Sequence, residues 1–312
     1  MMQNQPQTRV QQKNIGHFRS PASAQAFYQA YDEAMRDLPE PTCTYDLPTS
    51  FGVARMYKFG DGEATPFVLL PGRAASTPMW ETNLVTLMQH RAVYTVDLIG
   101  EPGMSVQTRP FTNNKDQAVW LQEALDGIPL QSFHLVGVSI GGWNAVNLFI
   151  HAPQHIASLT LLDPASVFGR FTWKVIVVSL GSVLPFMPQV IRMKLLSWIS
   201  GGAETDESIP TAKLIAAGMR DYSNSIPAPT YPSDEQLQSI NIPILSLIAG
   251  KSIIHNPKQA EARAKKLLKK GQVELWHEAS HAINGECADQ VNQAILRFVD
   301  HIEADINDTL PP

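Results

Sequence analysis

Residues 132–153 read SFHLVGVSIGGWNAVNLFIHAP. The run from Phe133 to Val136 is short, apolar and partly β-branched, which predicts a buried strand. From Trp143 to Ile150 the residues are those of an apolar helix. Between them Gly137, Gly141 and Gly142 crowd around Ser139 in the pattern Gly137-Val138-Ser139-Ile140-Gly141. A tight strand-to-helix turn pushes its central side chain outward and tolerates no Cβ on close neighbours, so glycines two positions before and after are what it needs. The following helix aims free N–H groups and the positive end of its dipole at charge developing beside the serine. The pattern thus predicts an exposed, activated serine rather than an ordinary glycine-rich turn.

The 312 residues suit one large α/β domain with an insertion, or two domains. Hydrophobic residues make up 44% and charged residues 17%, which provides ample core material. A net charge of −5 without a basic run argues against nucleic acid as a partner. Two cysteines, Cys43 and Cys287, exclude a disulfide framework and a cysteine metal cluster. The polar, Gln-rich start MMQNQPQTRVQQKN lacks the pattern of a signal peptide, and a cytoplasmic location is expected. The longest apolar window, residues 173–187, is interrupted by Lys174, Gly181 and Pro185 and is too short to span a membrane.

Outward from the serine turn, strands are expected at 51–59, 66–70, 93–96, 156–162, 242–248 and 273–276. Helices are expected at 22–38, 78–89, 115–126, 257–270 and 287–302. Residues 1–20 read as a disordered lead, and Pro39, Pro41 and Pro48 as part of an extended connector. Apolar strands alternating with helices predict an α/β fold with a mostly parallel central sheet flanked by helices. The rhythm stops between Ser166 and Tyr231, where helices follow one another without a clear strand. The expected organisation is an N-terminal segment with a helix (1–50), a core (51–165 and 235–305) and a helical cap (166–234). The cap is inserted after the strand ending near Leu162, at the edge of the sheet where ligands bind in such folds.

A serine hydroxyl needs a base, and the base an orienting acceptor. Of the nine histidines, His281 follows the last strand and precedes the closing helix, where it can reach a serine at the same sheet edge. His277 lies closer to the strand end and should point away. His17, His90, His134, His151, His155 and His301 read as structural, and His255 has no second ligand at metal-binding spacing. A tetrahedral intermediate needs two N–H donors. Ile140 supplies one, and the loop Pro71-Gly72-Arg73-Ala74 the other, with Arg73 as its donor. Asp97 reads as a loop anchor.

Four motifs together resemble the α/β-hydrolase fold family, in its single-chain serine esterase form with a helical cap, over about residues 51–302. Leu69-Leu70-Pro71-Gly72 resembles the oxyanion loop, with Pro71 in place of the usual histidine. The stretch 97–105, DLIGEPGMS, resembles the family's Asp-x-x-Gly-x-Gly-x-Ser loop in a lengthened form. The serine turn matches in full, and Ser280-His281-Ala282 matches in its histidine. The family usually places an acid after the strand that here is 242–248, but Ala249 to Pro257 contains no carboxylate. Some members, including a branch of haloalkane dehalogenases, carry it at the end of the strand after the elbow helix, where Asp163 falls. Three readings stay open: Asp163 as the acid; Asp163 as an N-cap or loop-bonding residue, with Ser252 or Asn256 orienting the histidine; or no working triad.

The resemblance implies a carboxylic-ester hydrolase using Ser139, His281 and Asp163, without cofactor or metal, on a fairly apolar small-to-medium ester. The alternatives are a thioesterase, lipase or C–C hydrolase on the same residues, or a ligand-binding protein that has lost an efficient triad. A dehalogenase is disfavoured because it would need a carboxylate at position 139. Val167, Phe168, Phe171, Trp173, Leu180, Leu184, Phe186, Met187, Met193, Leu196 and Trp198 supply the cap's own core and a candidate apolar pocket. Membrane contact through residues 173–187 is disfavoured by the scarcity of cations there. A homodimer is a candidate assembly.

Overall fold

The computed structural model describes residues 14–173, 175 and 208–309. It opens with β1 (His17–Phe18) and α1 (Pro21–Met35). Ser20 and Ser23 exchange hydrogen bonds as a capping box and Pro21 occupies the first turn, so the helix starts where its N–H groups find acceptors. β2 (Cys43–Thr49) and β3 (Gly52–Leu70) then form an antiparallel hairpin, from Thr49 opposite Gly52 to Cys43 opposite Lys58.

The expected extended connector is therefore in part a strand. Pro48 is tolerated because β2 is the last strand on its side of the sheet. The expected strands 51–59 and 66–70 are two arms of β3, which doubles back near Gly62. A Cβ at Gly62 would lie 2.5 Å from the backbone of His90 and Arg91, so only glycine lets the turn pack there. β4 (Arg91–Val96) lies between the arms. It runs opposite to the first, Met56 facing Val96 and Phe59 facing Val93, and in step with the second, Phe67 facing Val93 and Leu69 facing Thr95.

From the second arm outward the sheet is parallel. β6 (Phe133–Val138) pairs with it, β7 (Ile156–Leu162) with β6, β9 (Ile244–Ala249) with β7, and β10 (Gly271–Trp276) with β9. β5 (Val106–Gln107) adds to the start of β3. Alternate side chains of β3 enter opposite cores, as a pleated strand requires. Val68 and Leu70 pack with α3 (Asn114–Asp126), α4 (Ile140–His151) and α7 (Pro257–Leu267). Phe67 and Leu69 pack with α1, α2 (Glu81–Leu87) and α9 (Ala288–Thr309). Among the described residues the remaining elements are a 3₁₀ turn (Thr77–Trp80), α5 (Pro210–Asp221), β8 (Tyr222–Ser223), α6 (Asp234–Gln238) and α8 (Ile283–Glu286).

Within the expected lead, β1 pairs antiparallel with β8. Phe27, Tyr31 and Ala34 of α1 are buried with Tyr57 and Phe59 of β3 and with Leu214 and Ala217 of α5. The N-terminal helix therefore joins the sheet to the end of the expected cap. Val167 and Phe168 are buried in the core, whereas Trp173 is 70% exposed. The expected cap residues Leu180, Leu184, Phe186, Met187, Met193, Leu196 and Trp198 lie outside the described residues.

Residues Ile140 to Phe149 of α4 are all buried, so this helix sits deep behind the serine turn. Gly141 makes that approach possible: a Cβ there would stand 2.1 Å from the Leu70 carbonyl oxygen and 2.6 Å from that of Pro71. Both obstacles are backbone, which side-chain rotation cannot clear. Gly141→Ala is expected to cost about 1–3 kcal/mol in urea unfolding; an unchanged midpoint would contradict this packing.

Candidate active site

Ser139 sits between the end of β6 and α4 with φ 54° and ψ −117°, a conformation that non-glycine residues rarely adopt. Three backbone hydrogen bonds hold it there. Its N–H donates to Leu162 O at 3.0 Å, and its carbonyl accepts from Trp143 N at 3.2 Å and Ala165 N at 3.0 Å. The side chain is thereby aimed away from the sheet toward the loops after β7 and β10.

His281 comes from the loop after β10, and its Nε2 lies 2.8 Å from Ser139 Oγ. Its Nδ1 lies 2.6 Å from Oδ2 of Asp163, the residue that follows β7. The three residues read from the sequence as nucleophile, base and acid are thus joined by two hydrogen bonds across 142 positions of chain. Because a carboxylate only accepts, Nδ1 of His281 carries a proton and Nε2 is the atom able to accept one from the serine.

Asp163 has no exposed surface. Besides His281, it accepts from Ser252 Oγ at 2.7 Å on Oδ2, and from Ala249 N at 3.1 Å and His255 Nε2 at 3.0 Å on Oδ1. Burial alone would push its pKa up. The hydrogen bonds donated by His255 and His281, with a further electrostatic contribution from the same two rings, outweigh that and hold the carboxyl well below its ordinary value. Ser252 thus meets the acid rather than the histidine. Asn256 instead accepts from Gln259 N and caps α7. His277 is exposed, and its backbone packs against Gly250. Sequence reasoning left the contact between His255 and Asp163 unread. The available signal was a loop that lacks a carboxylate yet carries two donors, Ser252 and His255.

The loop of Gly72 and Arg73 runs beside the serine, and a Cβ on Gly72 would lie 3.7 Å from Ser139 Cβ. Ala74 N–H is occupied by Glu101 Oε2 at 3.1 Å and is not a free donor of this loop. As the first residue of α4, Ile140 has no intrahelical acceptor for its own N–H. The buried Glu101 carboxylate also stands 3.4 Å from the half-exposed Arg73 guanidinium. A narrow pocket beside Arg73 and Ile140 is lined by Leu98, Ile99, Trp120 and Trp143 on its apolar side and by Glu101, Gln117 and Asn144 on its polar side. Asp97 is buried and accepts from Thr77 N, Thr77 Oγ1, Met104 N and Tyr31 OH, all within 2.9 Å. Burial raises its pKa, and these donors partly offset the rise. It ties the loop after β4 to the residues that precede α2, which is anchoring rather than chemistry.

The depressed pKa of Asp163 has a consequence for stability. A carboxylate with a folded pKa below its unfolded value, about 3.9, stabilises the fold at pH above that value. The contribution is lost as pH falls through the unfolded value toward the folded one. Urea unfolding from about pH 6 down to about pH 3 should therefore show a steeper loss of stability in the wild type than in Asp163→Asn; parallel curves would contradict the assignment.

The sequence profile of the α/β-hydrolase fold family matches residues 65–286. The chain is 27% identical over 278 residues to an uncharacterized carboxylesterase, nap, of Bacillus subtilis (strain 168), covering 87% of this chain and 91% of that protein. It is 26% identical over 293 residues to carboxylesterase YbfK of the same organism, covering 90% and 96%. The crystal structure of naproxen esterase (carboxylesterase NP) from Bacillus subtilis superposes with a TM-score of 0.80 at 26% identity, covering 90% of this chain and 99% of that one. Among the described residues, no helix is long and apolar enough to cross a membrane. On the profile match, the two strand arms enclosing β4, and the parallel strands carrying the serine turn, the chain belongs to the α/β-hydrolase fold family.

Proposed function

We propose that this ester-hydrolysing enzyme works through a Ser139–His281–Asp163 triad on small, fairly apolar carboxylic esters. The observation that carries the reading is the pair of hydrogen bonds at the two nitrogens of His281, 2.8 Å to Ser139 and 2.6 Å to Asp163. His281 Nε2 takes the hydroxyl proton as Ser139 Oγ attacks the ester carbonyl. Asp163 stays ionised and stabilises the imidazolium that forms. The tetrahedral oxyanion accepts from the N–H groups of Arg73 and Ile140. His281 then passes its proton to the departing alkoxide, leaving an acyl group on Ser139. Water repeats the sequence in reverse: His281 takes its proton, hydroxide adds to the acyl carbonyl, and the proton returns to Ser139 as the acid leaves.

Thioesters and lipids would meet the same three groups; the two carboxylesterase relatives favour oxygen esters. The ligand-binding alternative drew its force from a missing acid, and a carboxylate against His281 supports a working triad instead.

The test is turnover of p-nitrophenyl esters of graded chain length. Ser139→Ala is expected to lower kcat by about 10⁴-fold or more, and Asp163→Asn by about 10⁴-fold. Undiminished turnover in Ser139→Ala would overturn the proposal. Undiminished turnover in Asp163→Asn would remove the acid from it.

A further inference from the structure

We infer that His255 is a positioning residue for the triad: a second imidazole that fixes the Asp163 carboxylate from the side away from His281. The inference rests on the reading of Asp163 as the acid.

The two carboxylate oxygens have separate sets of partners. Oδ2 receives His281 Nδ1 at 2.6 Å and Ser252 Oγ at 2.7 Å. Oδ1 receives His255 Nε2 at 3.0 Å and Ala249 N at 3.1 Å. A carboxylate can turn about its Cβ–Cγ bond, so a single partner on one oxygen would leave its plane loosely set. The imidazole and the backbone N–H on Oδ1 fix that plane and direct Oδ2 at His281. An imidazole suits the task because it is rigid and, once the loop is placed, has few alternative positions.

The protonation pattern follows from the acceptor. Ionised Asp163 offers only lone pairs, so His255 Nε2 must carry the hydrogen. In the neutral ring Nδ1 is then a bare acceptor, buried and, among the described residues, without a hydrogen-bond partner. A ring serving only to fill space would gain from turning Nδ1 toward a donor. Here one nitrogen is given up so that the other can face Asp163.

The surroundings hold the ring in this pose. A Cβ on Gly169 would lie 2.6 Å from His255 Cβ and 3.4 Å from its Nδ1, so the loop after β7 packs directly on the imidazole edge. Thr172 clamps the same loop: its N–H donates to Ile254 O and its Oγ1 to Ile253 O, each at 2.9 Å. The segment that leaves Asp163 therefore returns to secure the residue that orients Asp163. His255 does no proton transfer to substrate; it acts through the acid.

Two measurements on the full chain decide the matter. Histidine ¹⁵N NMR of the wild type should show His255 as the Nε2–H tautomer; an Nδ1–H tautomer would overturn the inference. Ester turnover should then be compared in His255→Leu, which keeps much of the bulk without a donor, and His255→Gln, whose amide N–H can reach the place of Nε2. His255→Leu is expected to lower kcat about 10-fold or more with KM little changed, and His255→Gln to restore most of the loss. Wild-type kcat in His255→Leu, or equal impairment of the two variants, would overturn the inference. If His255→Leu does not fold, the tautomer and His255→Gln against wild type decide. Measuring Asp163→Asn alongside separates the two ideas. Full activity in that variant sinks the triad reading, whereas an inactive Asp163→Asn beside an unimpaired His255→Leu sinks only this one.

Discussion

A single buried anion organises the sheet edge at which Ser139, His281 and Asp163 meet. Removing a carboxylate from water costs several kcal/mol unless other groups replace its hydration. Asp163 is fully buried and, among the described residues, is met by four donors: Ala249 at the end of β9, Ser252 and His255 in the loop that follows it, and His281 in the loop after β10. Each donor offsets part of that cost, and each is thereby fixed in place. The same bonds that make the charge tolerable bring a histidine from near the C-terminal end of the chain to within 2.8 Å of the Ser139 hydroxyl. Stability and the placing of His281 are coupled here, since loosening the carboxylate would free both loops.

The sheet supplies the other half of the arrangement. Ser139 and Asp163 stand just past the ends of adjacent parallel strands, both with positive φ, 54° and 41°. Such conformations cost of the order of 1–3 kcal/mol each in non-glycine residues and persist only where neighbours enforce them. Backbone bonds do so: Ser139 N–H donates to Leu162 O, and Asp163 N–H to Leu247 O at 2.8 Å. The hydrogen-bond pattern thus continues one residue past β6 and past β7, and Ser139 and Asp163 come out at the same edge. Glycine at 141 allows α4 to come up behind the serine, in contact with the carbonyls of Leu70 and Pro71.

Much of this could be read from residue order because the signals are local. Glycines around Ser139 mark a turn that only small neighbours permit, and β7 was expected over the same residues, 156–162, in which it is found. The ends of the helices were less legible, since α7 stops at Leu267 and α9 continues to Thr309. β2 was missed because Pro48 and its polar residues resemble a connector; its strand character comes from pairing with β3, a partner that local propensity does not see. β1 and β8 are two residues each and exist only through their mutual pairing. The place of Asp163 was legible through its position at a strand end. His255 and Ser252 were not, because donors to a buried carboxylate from a distant loop follow no spacing rule. The N-terminal helix was visible by its period, but its burial against α5 depends on contacts between residues nearly two hundred positions apart.

The central claim is that Ser139 becomes a covalent nucleophile when an ester meets the triad. Rapid-mixing kinetics with p-nitrophenyl acetate, joined to intact-mass measurement of the quenched protein, tests it directly. With deacylation slowed at mildly acidic pH, a burst of about one p-nitrophenol per chain and a single acetyl group on Ser139 are predicted. Steady hydrolysis without a burst, with Ser139 unmodified or the acetyl group on another residue, would contradict the account.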